Sequence, residues 1–201
     1  ANNILASKKS NKTAITDKSI IEKTKAELNS LQHDFQNLLL IGETPERLSI
    51  LGSAFKRMAL IMYELDIPIN EKKPLVQNLF KSAAASYLKA YELIPEEKLQ
   101  KSIYSISNFL VLNSVSGVLT VSIKNKKINI TALIEKVAGP LSVTRSRHAD
   151  FWEDISSVNL MEAQLFYSDI KEIMPLCKKI LKNYKAIWKV SGTKKHLETE
   201  I

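Results

Sequence analysis

The sequence predicts an all-α fold of about seven antiparallel helices. Through most of its 201 residues, apolar side chains recur every three or four positions, which is the period of an amphipathic helix. Five Gly and six Pro are few for a β-sandwich, which needs frequent turns, but usual for long helices joined by few loops. Hydrophobic residues make up 45% of the chain, which is enough to form a core, so disorder throughout is not expected.

The first predicted helix starts after a polar N-terminal segment, with Asp17 as a possible cap and Gly42 at its end. Its apolar stripe consists of Ile21, Leu28, Leu31, Phe35, Leu38 and Leu39. A second helix is expected to start at Thr44-Pro45-Glu46. Threonine is a good N-cap, proline is tolerated at the first helical position, and an acidic residue is favoured near the positive end of the helix dipole.

The second and third helices carry regular apolar stripes. The buried side of the second is predicted to contain Leu48, Leu51, Phe55, Met58 and Met62. This helix should end near Asp66-Ile67-Pro68, and Lys73-Pro74 offers a proline-led start for the third, which continues to Pro95. The third stripe consists of Val76, Leu79, Ala83, Tyr87, Ala90 and Ile94.

A fourth helix is predicted from Glu96 to about Gly117, and it is apolar on all sides, which is typical of a buried helix. Residues 118–130 fit three alternatives: helix, loop or a small β-hairpin, because Val, Ile and Thr flank the turn-like KNKK segment. A short fifth helix, Thr131 to Ala138, is expected to end at Gly139-Pro140, because glycine often terminates a helix and proline opposes its continuation.

Two more helices complete the prediction. One runs from about Ala149 to Tyr167 and carries Phe151, Trp152, Ile155, Val158, Leu160, Ala163 and Phe166. The last runs from about Asp169 to Val190, with Pro175 marking a kink or its first turn. Its stripe consists of Ile173, Cys177, Ile180, Leu181, Tyr184 and Trp188.

The predicted domain organisation is simple. Residues 1–16 are expected to be a disordered linker or a remnant of fragment excision, and 17–201 a single helical-repeat domain within a larger protein. The sequence contains no run of 18 or more apolar residues, and a lone cysteine excludes an internal disulfide framework. We therefore expect a cytoplasmic location and no membrane partner.

The positions and spacings of the reactive side chains do not favour an enzyme. His33, His148 and His196 show no metal-ligand spacing, and Cys177 lies in an apolar stripe, which favours a buried, unreactive thiol. No group of acidic residues has a spacing that pairs it for acid–base catalysis. We therefore predict no catalytic residue, no metal and no cofactor.

The net charge of +8 makes nucleic acid or an acidic partner a possible ligand. Lys178, Lys182, Lys185 and Lys189 repeat at steps of four, three and four, which places them on one side of the last helix. Solvated lysines on an outer face are the simpler interpretation. Further candidate contacts are Arg145 and Arg147, ahead of a helix N-terminus, and Tyr91, which lies beside the stripe of the third helix.

The second and third helices also resemble the tetratricopeptide repeat, a helix hairpin that stacks into right-handed arrays. The matching positions are Leu51, Gly52, Phe55, Ala83, Tyr87, Ala90 and Pro95. The distance from Gly52 to Ala83 is 31 residues (83 − 52), where the family has about 12. A second, weaker hairpin starts at Trp152, with Ser156 as a small residue.

A broader resemblance covers about residues 42–201. These helices look like the tetratricopeptide-like region of bacterial multidomain proteins, and they are similar to the TRAF-binding region of certain mitogen-activated kinase kinase kinases. The resemblance implies a non-catalytic scaffold in a larger bacterial, cytoplasmic protein. Its partner would be a protein segment, either a peptide or a helix, held in a groove between helices.

Overall fold

The computed structural model describes residues 18–95, 103–114, 120–124, 126–143 and 151–191. These residues form seven α-helices and one short β-hairpin, so the all-α prediction is confirmed. The chain divides into two compact units, Ala1–Leu93 and Ile94–Ile201, which are described separately below. Asp17, Arg145, Arg147, His148 and His196 lie outside the described residues, as do residues 1–16, 96–102, 115–119 and 192–201.

The N-terminal unit contains three helices: α1 (Lys18–Leu40), α2 (Pro45–Glu64) and α3 (Ile69–Glu92). The start of α2 is as predicted, because the Thr44 hydroxyl accepts a hydrogen bond from the Arg47 backbone N–H at 3.2 Å and Pro45 is in the first turn. Gly42 adopts a φ of 139° in the preceding turn, where Arg47 Nη1 donates to its carbonyl oxygen at 2.7 Å. Local chemistry therefore defines this helix junction.

The predicted start of α3 at Lys73-Pro74 was wrong. The helix begins at Ile69, and the backbone N–H groups of Glu71 and Lys72 donate to the Pro68 carbonyl at 3.0 and 2.9 Å. Pro74 lies inside the helix. Pro74 lacks an N–H donor and its ring crowds the carbonyl four residues earlier, but the first turn lies ahead of it and forms hydrogen bonds to the Pro68 carbonyl.

The C-terminal unit contains the other four helices and the hairpin. Its elements are α4 (Ile103–Ser114), β1 (Thr120–Ile123), β2 (Lys126–Asn129), α5 (Ile130–Val143), α6 (Phe151–Leu165) and α7 (Ile170–Ser191). The antiparallel strands pair Thr120 with Asn129 and Ile123 with Lys126. Of the three alternatives for residues 118–130, the structure therefore contains the hairpin, and Lys124 adopts a φ of 47° at its turn.

The predicted end of the fifth helix at Gly139-Pro140 was also wrong. Asn129 caps α5 through its side-chain oxygen, which accepts from the Thr131 N–H at 2.8 Å, and the helix then continues to Val143. As in α3, one proline removes one helical hydrogen bond, and the bonds on either side of it can still form.

The core of the C-terminal unit is formed largely by α4 and α6, which pack against each other. Most of α4 is buried, as the sequence predicts, including Ile106 and Leu110. Its polar side chains are satisfied locally: Asn108 Nδ2 donates to the Tyr104 carbonyl at 2.9 Å and Ser114 Oγ to the Leu110 carbonyl at 2.6 Å. Polar side chains can therefore lie in this buried helix without losing hydrogen bonds.

Candidate functional site

The contact between α2 and α3 is the most extensive helix contact of the N-terminal unit. A Cβ atom built on Gly52 would lie 2.9 Å from the Cδ2 and Cε2 atoms of Tyr87, so the tyrosine ring rests directly on the glycine backbone. The hydroxyl groups of Tyr87 and Ser53 are 2.8 Å apart and hydrogen bonded. Because glycine has no side chain, the two helices can approach with the aromatic ring between them.

Six of the positions that resemble the tetratricopeptide repeat lie in the core of this unit. Leu51, Gly52, Phe55, Ala83, Tyr87 and Ala90 are all buried. Pro95 is exposed, and the side chain of Trp152 lies outside the described part of the structure. The helix hairpin of α2 and α3 is therefore packed through the positions at which the sequence resembles the tetratricopeptide repeat.

The turn between α2 and α3 is closed by one lysine. Lys72 Nζ donates to the Tyr63 carbonyl at 3.0 Å, and the same ammonium lies 5.7 Å from the centroid of the Tyr63 ring. A second cross-link joins the Lys89 ammonium to the Glu43 carboxylate, which brings the end of α3 to the turn before α2. These exposed contacts fix the hairpin at both ends.

One face of α1 is buried in the N-terminal half of the helix and becomes solvent-exposed toward the C-terminal end. Ile21, Thr24 and Leu28 are buried in the N-terminal half. Leu31, Phe35 and Leu38 continue the same face, and we call them the α1 stripe. Phe35 is half-buried, and Leu31 and Leu38 are exposed, so the predicted apolar stripe of this helix is only partly covered by other elements.

The lysines predicted on the last helix are all exposed. Lys178, Lys182, Lys185 and Lys189 lie on one side of α7, and Lys171 extends this row toward the helix N-terminus. We call these five residues the basic ridge. No carboxylate pairs with them among the residues that the structure describes. Sequence reasoning missed Lys171, although its seven-residue step from Lys178 fits the same helical face.

The opposite side of α7 packs onto α6. Ile187 forms a buried cluster with Ile155 and Val158, against which Ile180 and Tyr184 pack. The Tyr184 hydroxyl also donates to Glu162 Oε1 at 2.9 Å. These contacts fix α7 with its basic ridge toward solvent.

The apolar residues of α7 and of the turn before it are not all buried, and the prediction of a buried Cys177 was wrong. Leu181 and Phe166 are 56% and 57% exposed, and Cys177 is half-buried. Ile187, which the predicted stripe omits, is buried. On α7 the buried face is centred near Ile180 and Ile187, so Leu181 falls at its outer edge.

Tyr91 does not offer a contact surface in this structure. Its side chain lies on the buried side of α3 and only 7% of the residue is exposed. A helical wheel alone places Tyr91 beside the main stripe, but an aromatic side chain is long enough to reach the core from that position.

The described ranges contain neither a candidate metal cluster nor a candidate membrane span. There, no group of three or more His, Cys, Asp or Glu residues lies close enough to hold a metal ion. Within the same ranges, no helix combines the length and apolar character needed to span a bilayer.

Comparison with known proteins identifies a family. The model named TPR-S, described as Tetratricopeptide Repeats-Sensor, matches residues 3–113. No curated protein and no solved structure shows significant similarity to the chain. Tetratricopeptide-type repeat regions are generally non-catalytic and act in protein–protein interaction. Since the match covers more than half of the sequence and includes the α2–α3 hairpin, the chain belongs to the TPR-S family of tetratricopeptide-repeat proteins.

Proposed function

We propose that this chain is a non-catalytic protein-binding module that holds a peptide or a helix in a groove between its helices. The observation that supports the proposal is the tetratricopeptide-type hairpin, in which α2 and α3 pack against each other through Gly52 and Tyr87. The family description, which contains the word Sensor, is compatible with a module whose role is to recognise a partner.

The α1 stripe offers a starting point for such a groove. It leaves Leu31 and Leu38 exposed on a face whose other half is buried, so a partner segment could extend the apolar contacts of Leu28. Around this stripe α1 has few charges: residues 28–42 contain only Asp34 and the titratable His33. Binding of an apolar segment there would therefore remove few charged groups of the protein from water.

Site-specific photo-crosslinking tests this proposal. A benzophenone amino acid at Leu38 in the full chain should crosslink to a discrete protein in a lysate of the source organism. The same amino acid at Asn78, an exposed residue on α3, serves as the matched control. The captured segment, made as a synthetic peptide, should bind the unmodified chain about tenfold more tightly than the Leu38→Asp variant. Equal crosslinking at both positions, or no change in affinity, would contradict the proposal.

A second candidate function is binding of nucleic acid or an acidic partner through α7. The basic ridge supports it, because its five exposed lysines pair with no carboxylate in the described part of the chain and so form a positive surface. Its first test is titration with duplex DNA at about 50 mM salt, where phosphate contacts are strong. Absence of binding under this condition would remove the nucleic-acid form of the proposal.

We also infer the biological context from the resemblance noted in the sequence. A tetratricopeptide-like region of this kind, similar to the TRAF-binding region of mitogen-activated kinase kinase kinases, would serve as one domain of a larger cytoplasmic protein in bacteria. Arg145 and Arg147 remain candidate contacts for an acidic group in that setting. Sequencing the complete open reading frame around this segment is the direct test.

A further inference from the structure

The exposed side of α7 has two adjoining parts. Six lysines and one glutamate lie on this helix, and five of the lysines form the basic ridge. Beside the ridge lie Ile170, Met174 and Leu181, with 87%, 64% and 56% of their surfaces exposed. We call these three residues the apolar edge.

Helical geometry places the two parts next to each other. At about 100° per residue, the ridge lysines fall within an arc of about 60° opposite the buried face, and the apolar edge occupies the adjoining arc of about 40°. Lys179 projects on the other side of the ridge, away from the apolar edge. From Lys171 to Lys189 the ridge is about 27 Å long.

From this arrangement we propose that the exposed side of α7 is a docking surface for an acidic amphipathic helix of a protein partner. This inference rests on the proposed protein-binding function. It adds the exposed side of α7 as a second binding site and an acidic amphipathic helix as the partner of that site. Lys178, Lys182, Lys185 and Lys189 are spaced by four, three and four residues, so a partner helix with carboxylates at the same steps would match them. Its neighbouring apolar side chains would cover Met174 and Leu181.

The apolar edge favours an acidic protein helix over nucleic acid and over an anionic membrane surface, which are the two other negatively charged partners. A nucleic-acid backbone would satisfy the lysines but would offer charged phosphates to the apolar residues. A helix lying on a membrane inserts a wide apolar face, and the wide apolar face of α7 is packed on α6 through Ile180 and Ile187. Only a ligand with an acidic side and an adjacent apolar side complements both parts.

The test is selection of ligands by the full chain. A yeast-displayed library of helical peptides of about 20 residues, varied among Glu, Lys, Gln and Leu on one face, provides the probe. Selected peptides should carry Glu at steps of three and four, with Leu at adjacent positions. The Lys178→Glu/Lys182→Glu/Lys185→Glu variant should bind them at least about tenfold more weakly. The Met174→Gln/Leu181→Gln variant should lose about fivefold.

Matched controls separate this surface from general charge. Lys179→Glu makes the same charge change as the single Lys182→Glu variant, on the same helix but off the ridge, so its affinity should stay within about twofold of the unmodified chain. Ile50→Gln makes the matched apolar change on α2, where Ile50 is 55% exposed, and should have no effect. Circular dichroism checks the fold of each variant, and the single Lys182→Glu variant replaces the triple variant if the latter unfolds.

Several results would overturn the inference. Neutral or basic peptides could dominate the selection, or Lys179→Glu could weaken binding as much as the ridge variant. Duplex DNA or phosphatidylserine vesicles could bind more tightly than every selected peptide, with a dependence on the ridge lysines. If Leu38 crosslinks a protein while no acidic helix is selected, the proposed function stands and only the α7 inference fails.

Discussion

The ring of Tyr87 occupies the space that a side chain at residue 52 would require. Its Cδ2 and Cε2 atoms lie 2.9 Å from the position of a Cβ atom on Gly52, and its hydroxyl is hydrogen bonded to Ser53 on the next residue of α2. A single tyrosine thus contacts two consecutive residues of the facing helix. The missing side chain of Gly52 therefore permits the close approach of the Tyr87 ring to α2.

The Gly52→Ala substitution should destabilise the N-terminal unit by about 1–2 kcal/mol, because overpacking against the ring outweighs the better helix propensity of alanine. Urea unfolding followed by circular dichroism measures the loss, and hydrogen exchange of peptides from α2 and α3 should localise it. In a Tyr87→Leu background, the cost of Gly52→Ala should fall below about 0.5 kcal/mol. An equal cost in both backgrounds would show that the ring is not responsible.

The hydrogen bond between Ser53 and Tyr87 can be isolated with a double-mutant cycle. Each residue makes further interactions, so a single substitution alone would overstate the contribution of this hydrogen bond to stability. We expect Ser53→Ala and Tyr87→Phe to show a coupling of about 0.5–1.5 kcal/mol in the free energy of unfolding. Strictly additive effects would mean that this contact contributes nothing to stability.

Thr44 is expected to stabilise the start of α2 through its side-chain hydroxyl. Thr44→Ala removes the acceptor for the Arg47 N–H and should cost about 1 kcal/mol in the free energy of unfolding. Thr44→Ser keeps the acceptor and should cost less than half as much. Equal losses in thermal or urea unfolding for both variants would rule out the cap as the cause.

Thr24 in α1 is buried, and its hydroxyl has no hydrogen-bond partner within the described part of the chain. Thr24→Val replaces this hydroxyl with a methyl group of similar shape, so it should stabilise the protein by about 1 kcal/mol. Thr24→Ser keeps the hydroxyl, removes a buried methyl group and should destabilise by about the same amount. A destabilising Thr24→Val substitution would indicate that the hydroxyl is in fact satisfied.

In the C-terminal unit, the bond from Tyr184 to Glu162 joins α7 to α6. Tyr184→Phe should lower the free energy of unfolding of this unit by about 1 kcal/mol. Both tryptophans, Trp152 and Trp188, belong to this half of the sequence, so their fluorescence is a suitable probe. Glu162→Gln retains an acceptor oxygen and should have a smaller effect, whereas a larger effect would point to a role for the carboxylate charge.

Local chemistry explains where prediction from the sequence succeeded. The start of α2 depends on Thr44 and Pro45, which act within a single turn, and the exposure of the ridge lysines follows from the cost of burying an unpaired ammonium. The continuation of α3 and α5 through Pro74 and Pro140 was not predictable in the same way. A proline weakens a helix locally, and the packing of the whole helix decides whether it continues.

The amino-acid sequence by itself determined the helical class, the hairpin signature at Gly52 and Tyr87, and the row of lysines on the last helix. Only the tertiary structure decided that the α1 stripe is half open, that Tyr91 is buried and that Leu181 lies exposed beside the basic ridge. The physical reason is that periodicity defines which residues share a helix face. Whether that face meets another helix or water depends on neighbours that are distant in the chain.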